Sequence, residues 1–264
     1  IKLSGNAIEF DFLGKDSVRW KETILAEGQD KQFHDNLKEL VSNKKNNQEI
    51  FDDITSRHVN AYYSTIVKGL TAKVFRTYLA SSVVSKYLRA HDNIKSESNM
   101  KKLFHAKLAN LDAAKMCNHK RTIPKNFDQT LEKKKNTLND VEKAKPWQKY
   151  EESLKKTQSK IIKTEMQRET QKKQIKKIKT MIKKKKEKHT ERIEKLQLQI
   201  DLTQKTRDYN LGTSLRNYID PRIFQSWTDE VVAEWEKLYT SALQKKFLWV
   251  KNVDSKWSEI SKYY

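Results

Sequence analysis

The chain has 264 residues, with 55 lysines and arginines against 34 aspartates and glutamates, which gives a formal net charge of +21. No stretch approaches the roughly 18 consecutive apolar residues of a membrane-spanning helix, and no charged-then-apolar leader opens the chain. The single cysteine, Cys117, excludes a disulfide framework and a thiolate zinc site within the chain. The 5 glycines form neither Gly-rich phosphate-loop pattern, so nucleotide-triphosphate chemistry is not expected.

The N-terminal part predicts one strand and then helices. Apolar and charged residues alternate from Ile8 to Phe12, which is the period of a strand, and residues 14–17 predict a turn. Helical spacing follows, and further helices are expected up to Cys117. The apolar and aromatic residues that recur at helical intervals over residues 66–88 are Ile66, Leu70, Val74, Phe75, Tyr78, Val83 and Tyr87.

Most of the excess charge lies in the middle of the chain. Residues 131–207 hold 25 basic and 11 acidic residues, a net charge of +14, and such a composition cannot bury a globular core. A narrow apolar stripe at helical spacing predicts a two-stranded antiparallel coiled coil. The stripe is expected to include Trp147, Tyr150, Leu154, Ile161, Ile175, Ile178, Ile182, Ile193, Leu196 and Ile200. Lys185 and His189 interrupt it, so fraying or underwinding is expected there.

The C-terminal residues 208–264 have 8 basic and 8 acidic residues and predict two or three short amphipathic helices. Their apolar residues include Trp227, Trp235 and Phe247. The fold class is therefore mainly α with a small N-terminal sheet. We expect a catalytic-core portion at 1–130, a basic coiled-coil linker at 131–207 and a C-terminal domain at 208–264. The two globular parts must meet in space, because neither has a large core of its own.

Four short segments join a reactive side chain to an aromatic or turn-forming context. They are EFDFLGKDS (9–17), GLTAKVFRTY (69–78), CNHKR (117–121) and LGTSLRNYIDPR (211–222). Each has an ordinary structural explanation. Lys15 fits a solvated turn lysine, Arg76 a surface ion-pair residue and Tyr218 a packing tyrosine. His119 fits a structural histidine better than a zinc ligand, because Cys117 and His119 lack the two further ligands that a zinc site needs.

Taken in order, FDFLGKDS, GLTAKVFRTY, CNH and NYIDPR resemble the motifs of eukaryotic type IB DNA topoisomerase. The resemblance extends over essentially the whole chain, including the basic linker. It implies that Lys15 is the hairpin lysine, Arg76 the second catalytic arginine, His119 the catalytic histidine and Tyr218 the nucleophile. The family's first catalytic arginine and its cap domain have no counterpart here. We therefore expect the chain to be a fragment that is inactive alone.

Two departures from the family pattern lie outside the catalytic positions. Leu79 follows the FRTY segment where a polar residue is expected. Leu215 and Arg216 replace a basic-then-apolar order before Asn217.

The chemistry suits these residue types. A tyrosine phenol can conserve phosphodiester energy in a covalent link, which removes the need for ATP. Its attack needs help, because a phenol of pKa near 10 is largely un-ionised at neutral pH. Donors such as Arg76 and His119 would stabilise the charged phosphorane, and Lys15 could protonate the leaving 5′ oxygen. No metal or other cofactor is expected.

Duplex DNA is the expected partner, and the expected form is a monomer acting in the nucleus with the missing N-terminal part. Lys73 lies three residues before Arg76, on the same helical face, and could hold a neighbouring phosphate. The resemblance implies that Asp16 and Asn217 order the protein near the cleaved step. The arm is expected to add salt-dependent attraction to DNA. The residues expected to do so are Lys183, Lys184, Lys185 and Lys186.

Two other functions remain open at this point. A non-catalytic basic coiled-coil module could bind DNA or RNA without using any of the four motifs. A tyrosine recombinase shares the chemistry, but it predicts a second arginine soon after the histidine motif and no long basic linker between the histidine and the tyrosine.

Overall fold

A computed structural model describes residues 1–14 and 19–264. Within those ranges the chain forms a three-stranded antiparallel sheet and eleven α-helices. The strands are β1 (Lys2–Ser4), β2 (Ala7–Leu13) and β3 (Arg19–Leu25). The helices are α1 (Asp30–Val41), α2 (Ser56–Ile66), α3 (Ala72–Arg89), α4 (Asn99–Met116), α5 (Phe127–Lys143), α6 (Gln148–Gln158), α7 (Glu165–Lys205), α8 (Leu211–Asn217), α9 (Pro221–Val231), α10 (Ser241–Lys246) and α11 (Trp257–Tyr263). The predicted fold class is confirmed.

The N-terminal sheet is a meander in the order β1-β2-β3. The predicted strand at residues 8–12 is confirmed as part of β2, which pairs with β3 so that Leu13 lies opposite Arg19. The ring of Trp20 on β3 lies 5.0 Å from the ring of Phe12 on β2, which is a stabilising cross-strand aromatic contact. Of the predicted turn, only Gly14 falls within the described residues.

The main core lies where α3 and α4 pack against the C-terminal segments. Ala80, Val84 and Leu88 form the buried face of α3, at the four-residue spacing of one helix side. α4 faces it with Ala106, Ala109 and Ala113, whose small side chains let the two helices approach closely. α9 completes the core with Ile223, Phe224, Trp227 and Val231. The prediction that the N-terminal and C-terminal parts meet in space is confirmed.

The larger residues at helical spacing in the first half of α3 do not belong to its buried face. Val74, Phe75 and Tyr78 are 45%, 47% and 52% exposed, although their spacing is helical. The buried face instead includes Ser81 and Ser85, which a search for apolar periodicity passes over. Ser81 can be buried here because its Oγ accepts a hydrogen bond from the Asp220 amide at 3.0 Å.

The arm is an antiparallel pair in which α5 and then α6, one after the other, pack along the 41-residue helix α7. Contacts along its length fix the register: Lys134 Nζ donates to Thr203 Oγ1 at 2.7 Å, and Gln171 Nε2 donates to the Thr157 carbonyl at 2.6 Å. The helices of the arm begin at Phe127 and end at Lys205. The division of the chain into three domains stays a prediction.

Two details of the predicted arm are wrong. Ile161 lies between α6 and α7 and is 87% exposed, so it is not part of the apolar stripe. The expected fraying near His189 is absent from the described helix α7, which runs unbroken from Glu165 to Lys205. Trp147, which lies between α5 and α6, stabilises this part of α7 by packing edge-on against the His189 ring at 5.1 Å. Lys186 lies over the same indole and pairs with Glu151 at 2.9 Å.

Candidate active site

The start of α3 carries the first two site residues. Lys73 and Arg76 are exposed and lie one turn apart on the same side of this helix. Arg76 Nη2 donates a hydrogen bond to the Cys117 carbonyl at 2.8 Å, 41 positions further along the chain. This bond ties α3 to the end of α4 and fixes one nitrogen of the guanidinium fork, so its remaining donors are held in a defined direction.

The CNH segment is the C-terminal cap of α4. Asn118 adopts the left-handed conformation with φ 52°. The His119 amide donates to the Ala114 carbonyl at 2.8 Å, and the Asn118 amide donates to the Lys115 carbonyl at 2.9 Å. These two bonds define a Schellman cap, in which asparagine is one of the few residues that tolerates the left-handed position. The reversal of the chain turns His119 away from the helix axis and towards the C-terminal segments.

The Asn118 conformation makes a stability prediction. Asn118→Ala should destabilise the chain by about 1 kcal/mol, because alanine is strained where φ is positive. The matched variant Asn118→Gly should be close to neutral, since glycine adopts this conformation freely. Urea unfolding of both variants beside the parent chain measures the difference. Equal stability of the alanine and glycine variants would show that the backbone here is not strained.

A short ribbon joins His119 to the segment after the arm. The Asn210 amide donates to the His119 carbonyl at 2.8 Å, and the Arg121 amide donates to the Asp208 carbonyl at 2.9 Å. The Arg121 guanidinium also donates to the carbonyls of Arg207 and Thr206 at the end of α7. The histidine segment and the tyrosine segment therefore meet although the whole arm separates them in sequence.

α8 and its exit turn position Tyr218. Asn110 on α4 holds the start of α8, because its Nδ2 donates to the Leu211 carbonyl at 3.1 Å and its Oδ1 accepts from Ser214 Oγ at 2.7 Å. The Tyr218 amide donates to the Ser214 carbonyl at 2.9 Å as α8 ends. Asp220 then caps the next helix by accepting from the Arg222 amide at 2.9 Å, with a proline at the first position of α9.

These elements bring three of the predicted catalytic residues together. The His119 and Tyr218 rings lie 5.2 Å apart between centroids. Arg76 Cζ lies 5.6 Å, and Lys73 Nζ 5.5 Å, from the centre of the Tyr218 ring. Arg76, His119 and Tyr218 line a cleft of about 430 Å³, and Lys73 lies outside its lining. The remaining described lining residues are Phe12, Gly14, Trp20, Met116, Cys117, Asn118, Lys120 and Thr213.

The cleft is electropositive. Its lining includes Arg76 and Lys120, and among the described residues that line it none is acidic. Burial raises the pKa of the Cys117 thiol, and the nearby Arg76 charge offsets only part of this effect. The thiol therefore stays protonated near neutral pH and is a poor nucleophile, as expected for a small buried cysteine.

The other predicted site residues have different positions. Lys15 and Asp16 lie outside the described residues, but Gly14, which precedes them, lines the cleft. Asn217 is exposed at the last position of α8. The basic run at residues 183–186 lies on α7. Since Lys184 is 21 residues before the end of this helix, it is about 30 Å along the helix axis from the end that adjoins His119.

The cleft lining also includes residues to which the sequence assigned no role, among them Phe12, Trp20, Lys120 and Thr213. The sequence could have indicated Lys120, because it directly follows His119. The indication for Phe12 and Trp20 is weaker: Phe12 is half exposed at the end of a strand that leads to the LGKDS turn.

Two further searches have negative results. Among residues 1–14 and 19–264, no group of three or more histidine, cysteine, aspartate or glutamate side chains could hold a metal ion. None of the described helices combines the length and the apolar character that crossing a membrane requires.

Comparisons with known proteins agree with the motifs. A family model described as eukaryotic DNA topoisomerase I, catalytic core, matches residues 1–154, and a C-terminal topoisomerase domain matches residues 190–259. DNA topoisomerase 1 of Caenorhabditis elegans is 33% identical over 242 residues, which are 92% of this chain and 27% of that protein. Mitochondrial DNA topoisomerase I of Rattus norvegicus is 32% identical over 252 residues, 94% of this chain and 40% of that protein. Human DNA topoisomerase 1 is 30% identical over 249 residues, 92% of this chain and 30% of that protein.

The chain thus spans between 27% and 40% of the length of these three relatives. The catalytic-core match covers more than half of the chain, and the second match begins within the arm and includes α8 and Tyr218. The chain therefore belongs to the eukaryotic DNA topoisomerase I family.

Proposed function

We propose that this chain carries part of the active centre of a type IB DNA topoisomerase, which relaxes supercoiled DNA through a transient 3′-phosphotyrosine. The observation that supports this most directly is the meeting of Arg76, His119 and Tyr218 in one electropositive cleft. A basic module that only binds nucleic acid needs no such convergence of an arginine, a histidine and a tyrosine.

In the proposed cleavage step, the Tyr218 phenol gives its proton to water, and its oxygen attacks a backbone phosphorus. The P–O bond to the 5′ oxygen breaks, and a 3′-phosphotyrosine and a free 5′-hydroxyl form. Extra negative charge develops on the non-bridging oxygens of the phosphorane. Arg76, which keeps free donors beyond the bond to the Cys117 carbonyl, is suited to bind these oxygens, and the His119 ring lies beside the ring of Tyr218.

The leaving 5′ oxygen needs a proton, and we assign this role to Lys15 as general acid. The support is the position of Gly14 in the cleft wall, one residue before Lys15. The free strand then rotates, and the 5′-hydroxyl attacks the phosphotyrosine to reseal the DNA. Because the link conserves the phosphodiester energy, the proposed cycle needs neither ATP nor a metal ion.

DNA contacts extend the proposal. Lys73 lies close enough to Tyr218 to bind the phosphate next to the scissile one. Asp16 and Asn217 flank the proposed general acid and the nucleophile, and we assign them to ordering the protein near the cleaved step. The positive charge of the arm would add non-specific attraction to the duplex and restrain its rotation.

The arm contribution is tested with Lys183→Gln and Lys184→Gln together. Each lysine that contacts a phosphate should change the slope of log affinity against log salt by about 0.9, so the double variant should bind more weakly with a shallower slope. Covalent cleavage should persist. Lys186→Gln serves as a separate control for arm structure, because Lys186 pairs with Glu151 and contacts Trp147. An unchanged slope in the double variant would mean that these lysines stand clear of the DNA.

The proposed function itself is tested by plasmid relaxation without ATP and with a metal chelator present. The assay uses this chain joined to, or mixed with, the upstream catalytic-core segment expected from the longer relatives. We expect relaxation by the combined protein and none by the chain alone. DNA binding without relaxation under every condition would favour the alternative of a binding module.

We also propose a nuclear location and action as a monomer. Since the relatives include a protein named as mitochondrial, microscopy of the tagged protein has to distinguish the nucleus from mitochondria. Sedimentation of the DNA complex measures how many copies of the protein it contains, and one copy is expected.

A further inference from the structure

A partly buried polar network lies at the turn that follows the proposed nucleophile. Asp220, two residues after Tyr218, uses both carboxylate oxygens. Its Oδ1 accepts from the Arg222 amide at 2.9 Å, and its Oδ2 accepts from Arg222 Nε at 2.9 Å. The hydroxyl of Tyr264 donates to the same Oδ2, also at 2.9 Å. The last residue of the chain therefore contacts the turn that follows Tyr218, 44 positions before it.

The backbone of the turn is also held. The Asp220 amide donates to Ser81 Oγ on α3 at 3.0 Å, and Ile219 is buried in the main core. Contacts from α3 and from Tyr264 thus hold residues 219 and 220. These contacts act on the backbone directly after Tyr218, because only one residue separates Tyr218 from Asp220.

Tyr264 is itself held in place. Its ring lies 5.8 Å from the ring of Tyr78 on α3, and its backbone carbonyl accepts a hydrogen bond from Arg89 at 3.4 Å. The preceding helix α11 is anchored by Trp257 and Ile260, which belong to the main core. The ring and the backbone of Tyr264 are therefore both held, and this fixes the position of its hydroxyl beside Asp220.

We propose that Tyr264 is a positioning residue for the cleavage reaction, whose hydroxyl holds the Asp220 carboxylate and so fixes the phenol of Tyr218 in the cleft. This inference rests on the proposed function of Tyr218. Tyr264 lies outside both segments that the family models match, so it does not follow from the family assignment.

The protonation states suit this role. Burial, followed by the Asp220 charge, raises the pKa of Tyr264 to about 12, so its hydroxyl keeps its proton throughout the neutral range. Burial opposes ionisation of Asp220, but hydrogen bonds from Arg222 and Tyr264 outweigh it and lower the pKa of the carboxyl. The contact is therefore a neutral donor to a carboxylate, and it weakens only when the pH falls far enough to protonate Asp220.

The first test measures single-turnover strand cleavage in the combined protein. Tyr264→Phe keeps the ring contact with Tyr78 and removes only the hydroxyl. We expect the rate constant to fall on the order of fivefold, because small misplacement of a nucleophile is costly, while DNA affinity stays unchanged. Tyr263→Phe is the matched control, since Tyr263, the residue before Tyr264, is 72% exposed, and it should have the parent rate.

A second measurement does not depend on catalysis. Hydrogen exchange in the isolated chain should become faster in the peptide covering residues 218–222 in Tyr264→Phe and stay unchanged in Tyr263→Phe. Asp220→Asn should cost less rate when added to Tyr264→Phe than when made in the parent protein, because the contact between the two side chains is already lost; its contacts with Arg222 are affected equally in both backgrounds.

The outcomes separate the two proposals. If the parent protein forms a Tyr218 adduct and Tyr264→Phe cleaves at the parent rate, Tyr264 has no positioning role. Unchanged exchange at residues 218–222 in Tyr264→Phe leads to the same conclusion. If the parent protein forms no adduct at Tyr218, the proposed function fails, whatever the exchange experiment shows.

Discussion

Tyr218→Phe is expected to abolish covalent capture of DNA while leaving DNA binding almost unchanged. The substitution removes one hydroxyl and keeps a ring that can occupy the same space beside His119 and Arg76. The charge of the cleft is also unchanged, so the electrostatic part of DNA binding should survive. The measurement compares adduct trapped by denaturant with equilibrium binding, in the combined protein, at two or more salt concentrations.

The control for Tyr218 is Tyr209→Phe, at a nearby tyrosine in the ribbon that pairs with Lys120. This variant should form adduct at the parent level. Adduct formation that persists in Tyr218→Phe would remove Tyr218 as the nucleophile, and a parallel loss of DNA binding would point to a packing role for its hydroxyl.

Arg76→Lys is expected to slow cleavage on the order of 10²–10³-fold, which is the usual cost of losing one fixed donor at a developing oxyanion. The lysine keeps the positive charge but loses the planar fork. The native fork donates to the Cys117 carbonyl through one nitrogen and keeps donors for a phosphate, and an ammonium group cannot reproduce both contacts with the same geometry. DNA affinity should change far less than the rate.

Single-turnover cleavage of a labelled oligonucleotide measures this effect. Arg168→Lys is the matched control, because Arg168 is an exposed arginine near the start of α7 that makes only a loose ion pair with Glu165. A parent-like rate in Arg76→Lys would show that charge alone is sufficient and that the fork geometry plays no part in the reaction.

Much of the fold follows from simple periodicity. The alternation around Phe10 predicts β2, and the charged segment with its narrow apolar stripe predicts the arm. Both patterns are legible because one side of each element is solvated and the other is packed.

Periodicity fails where small residues form the interface. The buried face of α3 contains Ala80, Ser81 and Ser85, while the larger residues Phe75 and Tyr78 are about half exposed. Local sequence cannot show this, because the close approach of α4 decides which side of α3 is buried. The packing of Trp147 against His189 is likewise a long-range contact that no local pattern reveals.

The candidate site could likewise be predicted only in part from the sequence. The motif order and the family resemblance identify Arg76, His119 and Tyr218, but they do not explain why these residues meet. The structure supplies the reasons: the left-handed cap at Asn118, the ribbon between residues 119–121 and 208–210, and the hold of Asn110 on α8. Tyr264 is invisible to sequence reasoning, since its relation to Asp220 exists only in the fold.

Identification of the residue that carries the DNA tests the central claim most directly. The combined protein is reacted with a nicked oligonucleotide that cannot be resealed, digested with trypsin and analysed by mass spectrometry. Trypsin cuts after Arg216 and Arg222, so we predict a 3′-phosphonucleotide on the peptide of residues 217–222, at Tyr218. Attachment to any other residue, or its absence from a protein that relaxes plasmid DNA, would contradict the proposed role of this site.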